Sequence, residues 1–422
     1  MSKLVLAASC AALLKAFPGP PCTLDLPAFR TDEPLLAVQP HGRVFTVRSA
    51  EALGALHPTP GDTVVLAGGE WRDADLRLRA EGAAANPITV RAAPDAVFVG
   101  QSSAAFSGSY IVVRGLTFRH GAVARDKFVV FRLGNGAKDG CDHCVADHVT
   151  IDGYNSAPAD FDRLDIFYMV LAGKQITVAN SFLGDKRNSG TMIEMAEPDR
   201  FLFLKNAVSG FTPPHPGVKG GHKLMQLGWS GVGPHPSHSA LIGNFFEHAI
   251  GENETVSIKA SDVVVRDNVF RANIGTLNLR SANRVLVEGN TFDGSGQPGM
   301  GGVRIEGQGH WIVNNLFKKL LLPQDYYYWP VAIHVARDEA LREGGDDYAR
   351  VKDVVIAGNR FEDDNAPPVA FGIYPLPRLG RTLLPQNVFL IDNVFARSGP
   401  VPIQYMSGDP SLVVQRGNTM AR

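Results

Sequence analysis

Short segments of alternating apolar and polar residues follow one another along most of the chain. The first examples are Val44-Phe45-Thr46-Val47 and Thr63-Val64-Val65-Leu66, and residues 88–92 and 110–118 continue the pattern. Alternation with a period of two is typical of β-strands, because successive side chains point to opposite faces. Helical periodicity is almost absent between these segments, apart from a short helix predicted at residues 49–53 and another expected around residues 338–343. The pattern predicts an all-β chain built from many short strands.

An Asn-x-Phe motif recurs along the chain and gives this strand pattern a period. Its copies begin at Asn180, Asn244, Asn268, Asn290, Asn315, Asn359 and Asn393, with a degenerate copy at Asn206. From Asn244 to Asn315 the spacings are 24, 22 and 25 residues, and we interpret the following 44 residues as about two periods. A fixed period of this length indicates a solenoid. Leucine-rich repeats share the period, but their leucine pattern and the helix in each repeat are missing.

The sequence therefore predicts a right-handed parallel β-helix, in which each repeat is one coil of several strands joined by turns. Each motif asparagine is expected in a stacked turn, because asparagine tolerates left-handed backbone and can hydrogen-bond its counterpart one coil away. Each motif phenylalanine is expected to point inward and to stack on the phenylalanine of the next coil.

No obvious linker separates a second domain, so we expect residues 43–422 to form one domain with loop insertions. The least regular stretches, residues 211–239 and 321–350, are predicted to emerge as loops on one face and to wall a binding site. Residues 1–42 form an N-terminal segment with an apolar run at residues 4–14. That run predicts either a secretory signal or an apolar capping helix, and it is too short for a membrane-spanning helix.

The overall charge balance excludes a general attraction to polyanions. Lys and Arg total 41 against 42 Asp and Glu, so neither nucleic acid nor a membrane surface is an expected partner. Four cysteines are too few for a disulfide scaffold in a chain of this size. Cys141 and Cys144 have no second CxxC pair to complete a zinc site, and a structural role, such as a local disulfide, is the favoured interpretation.

Residues 252–304 contain three basic residues at polar positions of the alternating strand pattern. Alternation directs into the core Val256, Ile258, Leu277, Leu279, Val303 and Ile305. It therefore directs Lys259, Arg280 and Arg304 outward on three successive coils. Counted from the preceding motif asparagine, these cations lie 15, 12 and 14 residues along the chain. We therefore expect them to form one column with steps of ~4.8 Å.

A column of like charges is unfavourable unless an anion lies against it. A chain of uronic acids, with a carboxylate on about every sugar, would supply such anions. The alternative is that each cation is a solvated surface residue paired with a nearby glutamate. The candidate partners are Glu252, Glu254, Glu288 and Glu306.

This segment resembles polysaccharide lyase family 6, which contains alginate lyases and chondroitinase B. The resemblance rests on a Glu-x-Glu motif, a lysine five residues after its second glutamate, and an arginine 21 residues after that lysine. In this chain these residues are Glu252, Glu254, Lys259 and Arg280. Residues 61–66, 86–91, 100–103 and 302–304 extend the resemblance, which covers roughly residues 43–320. It implies a secreted or periplasmic enzyme that cleaves an anionic polysaccharide by β-elimination, with alginate as the expected polymer. We expect the enzyme to act as a monomer.

The resemblance also implies roles for the site residues. Ca²⁺ held by Glu252 and Glu254 would neutralise the uronate carboxylate and so acidify the C5 proton. Lys259 would remove that proton as the general base. Arg280 would stabilise the enolate-like intermediate, and Arg304 would hold the carboxylate of an adjacent sugar.

The chain departs from the family pattern one coil before the Glu-x-Glu motif. Calcium-binding members of the family usually supply an asparagine there, whereas residues 219–228 contain none and carry extra basic residues. The sequence thus predicts an incomplete Ca²⁺ site, or a site in which Lys223 replaces the charge of the metal. Two further residues are expected to bind substrate, Lys223 and His334. His334 follows Ile333 and has the same outward phase as the cations.

Three other functions remain open at this point. A lyase of the same family that acts on dermatan sulfate or chondroitin would use the same residues. A glycoside hydrolase on the same architecture would need two facing carboxylates. A non-catalytic solenoid would bind polyanions in a salt-dependent manner without forming a product.

Overall fold

The computed structural model of the protein describes residues 41–136, 138–215, 221–322, 328–342, 348–397 and 401–421. The predicted signal or capping helix lies in residues 1–40, outside the described residues. Within the described parts of the chain, no helix is both long and apolar enough to cross a membrane.

Three long parallel sheets enclose one apolar core, as expected for a parallel β-helix. Each regular coil contributes one strand to sheet 1, then one to sheet 2, then one to sheet 3, and strands are numbered β1–β40 in chain order. The predicted all-β fold is confirmed.

Within the described residues, sheet 1 has 14 strands. They are β1 (Val44–Val47), β2 (Thr63–Leu66), β5 (Ile88–Ala92), β8 (Ile111–Arg114), β12 (Val145–Asp147), β15 (Thr177–Ala179), β18 (Leu202–Leu204), β21 (Ala240–Ile242), β24 (Val264–Arg266), β27 (Leu286–Glu288), β30 (Trp311–Val313), β33 (Lys352–Ala357), β36 (Gln386–Ile391) and β39 (Val413–Arg416).

Sheet 2 has 13 strands in the same part of the chain. They are β3 (Gly69–Arg72), β6 (Ala96–Gly100), β9 (Thr117–Gly121), β13 (Thr150–Asp152), β16 (Phe182–Lys186), β19 (Ala207–Phe211), β22 (Phe245–Ala249), β25 (Val269–Arg271), β28 (Thr291–Asp293), β31 (Leu316–Lys318), β34 (Arg360–Glu362), β37 (Val394–Ala396) and β40 (Thr419–Ala421).

Sheet 3 also has 13 strands among the described residues. They are β4 (Asp75–Glu81), β7 (Ser103–Ser109), β10 (Val129–Leu133), β11 (Cys141–Asp142), β14 (Phe167–Leu171), β17 (Ile193–Met195), β20 (Met225–Leu227), β23 (Glu254–Ile258), β26 (Gly275–Leu279), β29 (Met300–Ile305), β32 (Val331–His334), β35 (Val369–Ile373) and β38 (Ile403–Tyr405).

Among the described residues, helical structure is limited to short pieces, and residues 338–342 do not form the helix expected around residues 338–343. The predicted helix is α1 (Ala50–Gly54), whose first turn is capped by the Ser49 side chain accepting a hydrogen bond from the Ala52 N–H. The 3₁₀ turns are Pro158–Asp160, Ser230–Val232, Pro377–Leu379 and Pro410–Leu412.

A ladder of asparagine side chains connects the turns between sheets 1 and 2. In each step the backbone N–H and the Nδ2 of one asparagine donate to Oδ1 of the next, at 2.9–3.1 Å. Its members are Asn206, Asn244, Asn268, Asn290, Asn315, Asn359, Asn393 and Asn418. The predicted stacking of the motif asparagines is thus confirmed from Asn206 onward.

Three details of that prediction are wrong. Asn180 is not a ladder member, because Ser181 takes this place and donates its N–H to Asn206 Oδ1 at 2.9 Å. The left-handed residue is the one before each ladder position, with φ between 50° and 65°, and not the ladder asparagine itself. Asn315 and Asn359 are direct neighbours, so the 44 residues between them form one coil with an insertion instead of two coils.

Six of the seven motif phenylalanines form the predicted interior stack, whereas Phe182 is only partly buried and Leu183 takes the core position in β16. Ring centroids lie 4.8–5.3 Å apart along the series Phe246, Phe270, Phe292, Phe317, Phe361 and Phe395. Each stacked pair adds about 0.5–1.5 kcal/mol beyond simple burial. The stack therefore helps to hold successive coils at the strand spacing that aligns the residues of sheet 3.

Cys141 and Cys144 form a disulfide in the coil that contains β11. Both side chains are buried in the core, which confirms the structural role predicted for them.

Candidate active site

The outward-facing side of sheet 3 carries a row of polar residues. Direct strand partners in β17, β20, β23, β26 and β29 are Glu194, Gln226, Ser257, Asn278 and Arg304. The predicted inward residues alternate with them, and all six lie in the core: Val256, Ile258, Leu277, Leu279, Val303 and Ile305.

This register corrects the predicted column of three cations. Arg304 pairs with Asn278, whereas Lys259 and Arg280 lie two residues beyond Ser257 and Asn278. The strand register shifts within β23 and β26, so equivalent positions of successive coils lie at different numbers of residues from the motif asparagine. Counting residues from that asparagine therefore assigned Arg304 to the wrong row. Lys259 and Arg280 therefore share one row, and Arg304 belongs to the row beside it.

A cavity of about 580 Å³ opens over these strands. Its lining is Lys223, Glu252, Asn253, Glu254, Lys259, Arg280, Arg304, Arg337, Tyr348, Tyr374, Leu379 and Arg381. The lining includes six cationic side chains and two carboxylates, so it is suited to an anionic ligand. Six of the seven predicted site residues line the cavity, and His334 is the exception.

Glu254 lies at the centre of the charged groups. Its Oε1 is 3.7 Å from Arg304 Nη1 and 3.9 Å from Arg280 Nη1, and its Oε2 is 3.9 Å from Lys223 Nζ. Burial by itself would raise the pKa of this carboxyl, but the charges of Lys223, Arg304, Arg280 and Lys259 outweigh it and lower the pKa to about 2. Glu254 is therefore ionised at neutral pH and cannot serve there as a proton donor.

Glu252 pairs directly with Lys223. Lys223 Nζ lies 2.8 Å from Glu252 Oε1, and the two side chains are only 10% and 4% exposed. The loop that carries Glu252 is held close to β26 by Gly275, which has a φ of 104°, and a Cβ added at this glycine would lie 2.6 Å from the Glu252 carbonyl oxygen. A larger residue at position 275 would therefore displace Glu252.

Glu252 and Glu254 are the carboxylates predicted to hold Ca²⁺, but their surroundings do not fit that ion. Ca²⁺ takes six to eight oxygen ligands, whereas the ammonium group of Lys223 already lies beside both carboxylates. Among the described residues, no group of three or more His, Cys, Asp or Glu side chains could hold a metal ion. The arrangement suits a bound ammonium group better than a divalent cation.

Arg304 and His334 both contact the buried carboxylate of Glu306. Arg304 Nη2 donates to Glu306 Oε1, and His334 Nδ1 lies 3.5 Å from the same oxygen. Burial, together with the charges of Arg304 and Arg381, lowers the pKa of His334 well below its usual value. The His334 side chain is fully buried and is not part of the cavity lining, and its contact with substrate stays a prediction.

One wall of the cavity was missed by the sequence patterns. It consists of Arg337, Tyr348, Tyr374 and Arg381. Arg280 Nη1 donates to Tyr348 Oη at 3.2 Å, and the Arg381 guanidinium carbon lies 3.4 Å from the Tyr348 ring centroid. These side chains come from segments outside the strands. Arg337 and Tyr348 lie in the 321–350 insertion, which was predicted to wall a site, whereas no sequence signal pointed to Tyr374 and Arg381.

Glu194 is a further residue that the sequence patterns did not single out. Burial raises its pKa to about 7, although a hydrogen bond from Gln226 Nε2 at 3.1 Å and the charges of Lys223 and Lys259 act in the opposite direction. Its outward phase in β17, in the same row as Gln226 and Ser257, was the signal that could have identified it.

Comparisons with known proteins agree with this architecture. The family model described as Chondroitinase B matches residues 50–375. A variant of the PL6 family alginate lyase AlyGC has a TM-score of 0.77 at 22% identity, covering 90% of this chain and 53% of that one. This chain thus spans about half the length of AlyGC.

Two further solved structures match along most of their own length. A mannuronic acid specific family 6 lyase from human gut microbiota has a TM-score of 0.74 at 23% identity, with 86% of this chain and 82% of that chain covered. The PL6 family polysaccharide lyase Pedsa3628 from Pseudopedobacter saltans has a TM-score of 0.75 at 22% identity, with 90% and 92% covered. No curated protein gives a match. At these identities the structural likeness establishes the fold alone.

Proposed function

Because the chain belongs to the chondroitinase B family of polysaccharide lyases, family 6, we propose that it cleaves a uronic-acid-containing polysaccharide by β-elimination. Alginate is the proposed substrate, since several of the matching solved structures are described as alginate lyases. The observation that carries the proposal is that Lys259 and Arg280 directly follow the paired strands β23 and β26 and that both line a cationic cavity.

The proposed reaction removes the C5 proton of a uronate and breaks the bond between C4 and the glycosidic oxygen. Lys259 takes the proton on its Nζ, and the released electron pair forms the C4–C5 double bond as the oxygen leaves. Arg280 stabilises the negative charge on the uronate carboxylate in the intermediate and assists protonation of the leaving oxygen. Arg304 adds positive potential at the cavity floor, where its guanidinium lies against Glu254 and Glu306.

A hydrolytic mechanism is less well supported. A glycoside hydrolase needs one carboxyl group that is protonated and acts as the general acid. The two carboxylates that line the cavity, Glu252 and Glu254, both lie beside cations, and the pKa of Glu254 is about 2. Glu254 therefore cannot supply a proton near neutral pH.

We also propose that the protein works in the periplasm or outside the cell. The disulfide between Cys141 and Cys144 supports this proposal, because disulfides persist in oxidising compartments and are rare in the cytosol. A polymeric extracellular substrate would be accessible there.

The test is incubation of the protein with alginate, its mannuronate-rich and guluronate-rich fractions, dermatan sulfate and chondroitin sulfate. Ultraviolet absorbance of the unsaturated product reports each elimination. The proposal predicts a signal with alginate and a weaker signal, or none, with the sulfated polymers. A signal with dermatan sulfate alone would instead identify the protein as a dermatan sulfate lyase of the same family. The absence of a signal with every polyuronate would overturn the proposed lyase function.

A polyanion-binding role without catalysis is the second candidate, because the cavity lining has six cations. The surface adhesin PfbA of Streptococcus pneumoniae shares this fold at a TM-score of 0.51 and 11% identity. Binding to immobilised alginate that weakens with added salt, with no unsaturated product formed, would favour this second role.

A further inference from the structure

We propose that Lys223 supplies the positive charge that the family resemblance assigns to Ca²⁺, so that this enzyme works without a bound metal ion. The inference rests on the proposed lyase function and identifies how that function is carried out at the same cavity. It follows from the position of one ammonium group between two buried carboxylates.

The position of Lys223 is fixed by its neighbours. Its Nζ lies 2.8 Å from Glu252 Oε1 and 3.9 Å from Glu254 Oε2, which are the two carboxylates of the Glu-x-Glu motif. Its carbonyl oxygen accepts from the Met192 N–H at 3.0 Å, and the next residue, Leu224, donates its N–H to the Thr255 carbonyl at 3.1 Å. The backbone at Lys223 is thus tied to the coils on both sides.

The charges around this position oppose a divalent cation. Lys223, Lys259, Arg280 and Arg304 all line the cavity with Glu252 and Glu254. Like charges a few ångströms apart repel one another strongly in a partly buried site, where water screens them less than in bulk solution. A doubly charged ion at the two carboxylates would meet this repulsion from several cations at once, and it would also have to displace Lys223 from Glu252.

An ammonium group can perform the electrostatic task expected of the metal. Lysine presents a compact charge with three donors on a flexible stem, and Lys223 lines the cavity where a uronate carboxylate would bind. A substrate carboxylate placed against Lys223 and Arg280 would be neutralised by two protein cations, which favours loss of the C5 proton.

The experiment compares the wild-type protein with Lys223→Asn and with the matched control Lys205→Asn. Asparagine at position 223 replaces the ammonium group by a carboxamide oxygen, a ligand that Ca²⁺ accepts. Lys205 is exposed and lies in a turn between sheets 1 and 2 with a φ of 53°, a conformation that asparagine tolerates. After EDTA treatment and dialysis, Ca²⁺ binding is measured by isothermal titration calorimetry and by the shift of Tm with CaCl₂.

The wild-type protein and Lys205→Asn are expected to show no heat of Ca²⁺ binding, no Tm shift and the same lyase rate with or without EDTA. Lys223→Asn is expected to bind Ca²⁺, to gain Tm with CaCl₂, and to lose about 100-fold in rate in EDTA with partial recovery on adding Ca²⁺. Wild-type activity that EDTA abolishes and Ca²⁺ restores would overturn the inference, and so would an unchanged rate in Lys223→Asn.

Two further outcomes separate this inference from the proposed function. If the wild-type protein cleaves no polyuronate, the proposed function fails, and the claim that Lys223 occupies the metal position is then decided by calorimetry alone. If Lys223→Asn does not fold, the response of the wild-type protein to EDTA and to Ca²⁺ still decides whether a metal is needed.

Discussion

Arg280 Nη1 donates a hydrogen bond to Tyr348 Oη at 3.2 Å, which connects the end of β26 to the segment between β32 and β33. The ring of Tyr348 also contacts Arg381, whose guanidinium carbon lies 3.4 Å from the ring centroid. Tyr348 thus holds two cavity arginines in fixed positions relative to the row that contains Lys259. In the proposed reaction, this contact orients the guanidinium that faces the uronate carboxylate.

Removing the Tyr348 hydroxyl tests this positioning. Tyr348→Phe keeps the ring against Arg381 and removes the acceptor for Arg280, so kcat/KM is expected to fall about 3- to 10-fold, as for a lost hydrogen bond of roughly 1 kcal/mol. Tyr405→Phe, which removes a hydroxyl on β38 outside the cavity lining, is the control and should retain full activity. Equal rates for Tyr348→Phe and the wild-type protein would show that the contact does not orient Arg280 in catalysis.

The buried pair of Arg304 and Glu306 is expected to stabilise the fold. Glu306→Gln leaves the Arg304 guanidinium buried without its nearest negative charge, and breaking a buried pair in this way costs about 3 kcal/mol or more. The matched control is Glu362→Gln, which breaks a half-exposed pair with Arg360 and should cost less than about 1 kcal/mol. Both costs are measured by chemical denaturation, and equal values for the two variants would contradict this account.

Glu194 predicts a pH-dependent stability. Its pKa is raised by burial from an ordinary value of 4.5 to about 7, so the folded protein retains a proton that the unfolded chain releases. The free energy of unfolding contributed by Glu194 should therefore fall as the pH rises from 4.5 to 7 and change little above that range. Glu194→Gln mimics the protonated form and should stabilise the protein by about 1–3 kcal/mol at pH 8, with little effect at pH 4.5.

Melting temperatures of the wild-type protein and Glu194→Gln across this pH range provide the measurement. The same difference in Tm at every pH would show that Glu194 does not titrate in this range. Gln226→Leu is an additional probe, because it removes the Nε2 donor to Glu194 and should raise the pKa of Glu194 further.

The asparagine ladder is expected to make a large contribution to stability at each step. Asn290→Ala removes the Oδ1 that accepts from Asn268 and the Nδ2 that donates to Asn315 and Val265. Because these groups are buried, the unfolding free energy should fall by about 2–3 kcal/mol. Asn135→Ala, which removes an exposed hydrogen bond to Asp139, is the control and should cost less than about 1 kcal/mol.

The repetitive parts of this protein could be predicted from its sequence because each coil repeats the same local environment. Phe270, Phe292 and Phe317 occupy equivalent interior positions, so their spacing revealed the solenoid. The inward and outward faces of β23 and β26 followed from alternation for the same reason. Lys259 and Arg280 could therefore be assigned to one outward face from the sequence alone.

Other features depended on geometry that no local pattern encodes. The register shifts in β23 and β26 moved Arg304 into a different row from Arg280. Burial of His334 depends on the residues that pack around it, and Arg381 and Tyr348 reach the cavity from segments without a period. The position of Lys223 between two carboxylates required the relative placement of two neighbouring coils.

The most direct test of the lyase function is mass spectrometry of the products from an alginate oligosaccharide of one defined length. β-Elimination predicts two products whose masses sum to that of the substrate, one of them unsaturated. Lys259→Ala should lower the rate by about 100-fold or more, while Lys318→Ala on sheet 2, outside the cavity, should leave it unchanged. Products that together contain one added water, or undiminished activity of Lys259→Ala, would contradict the account.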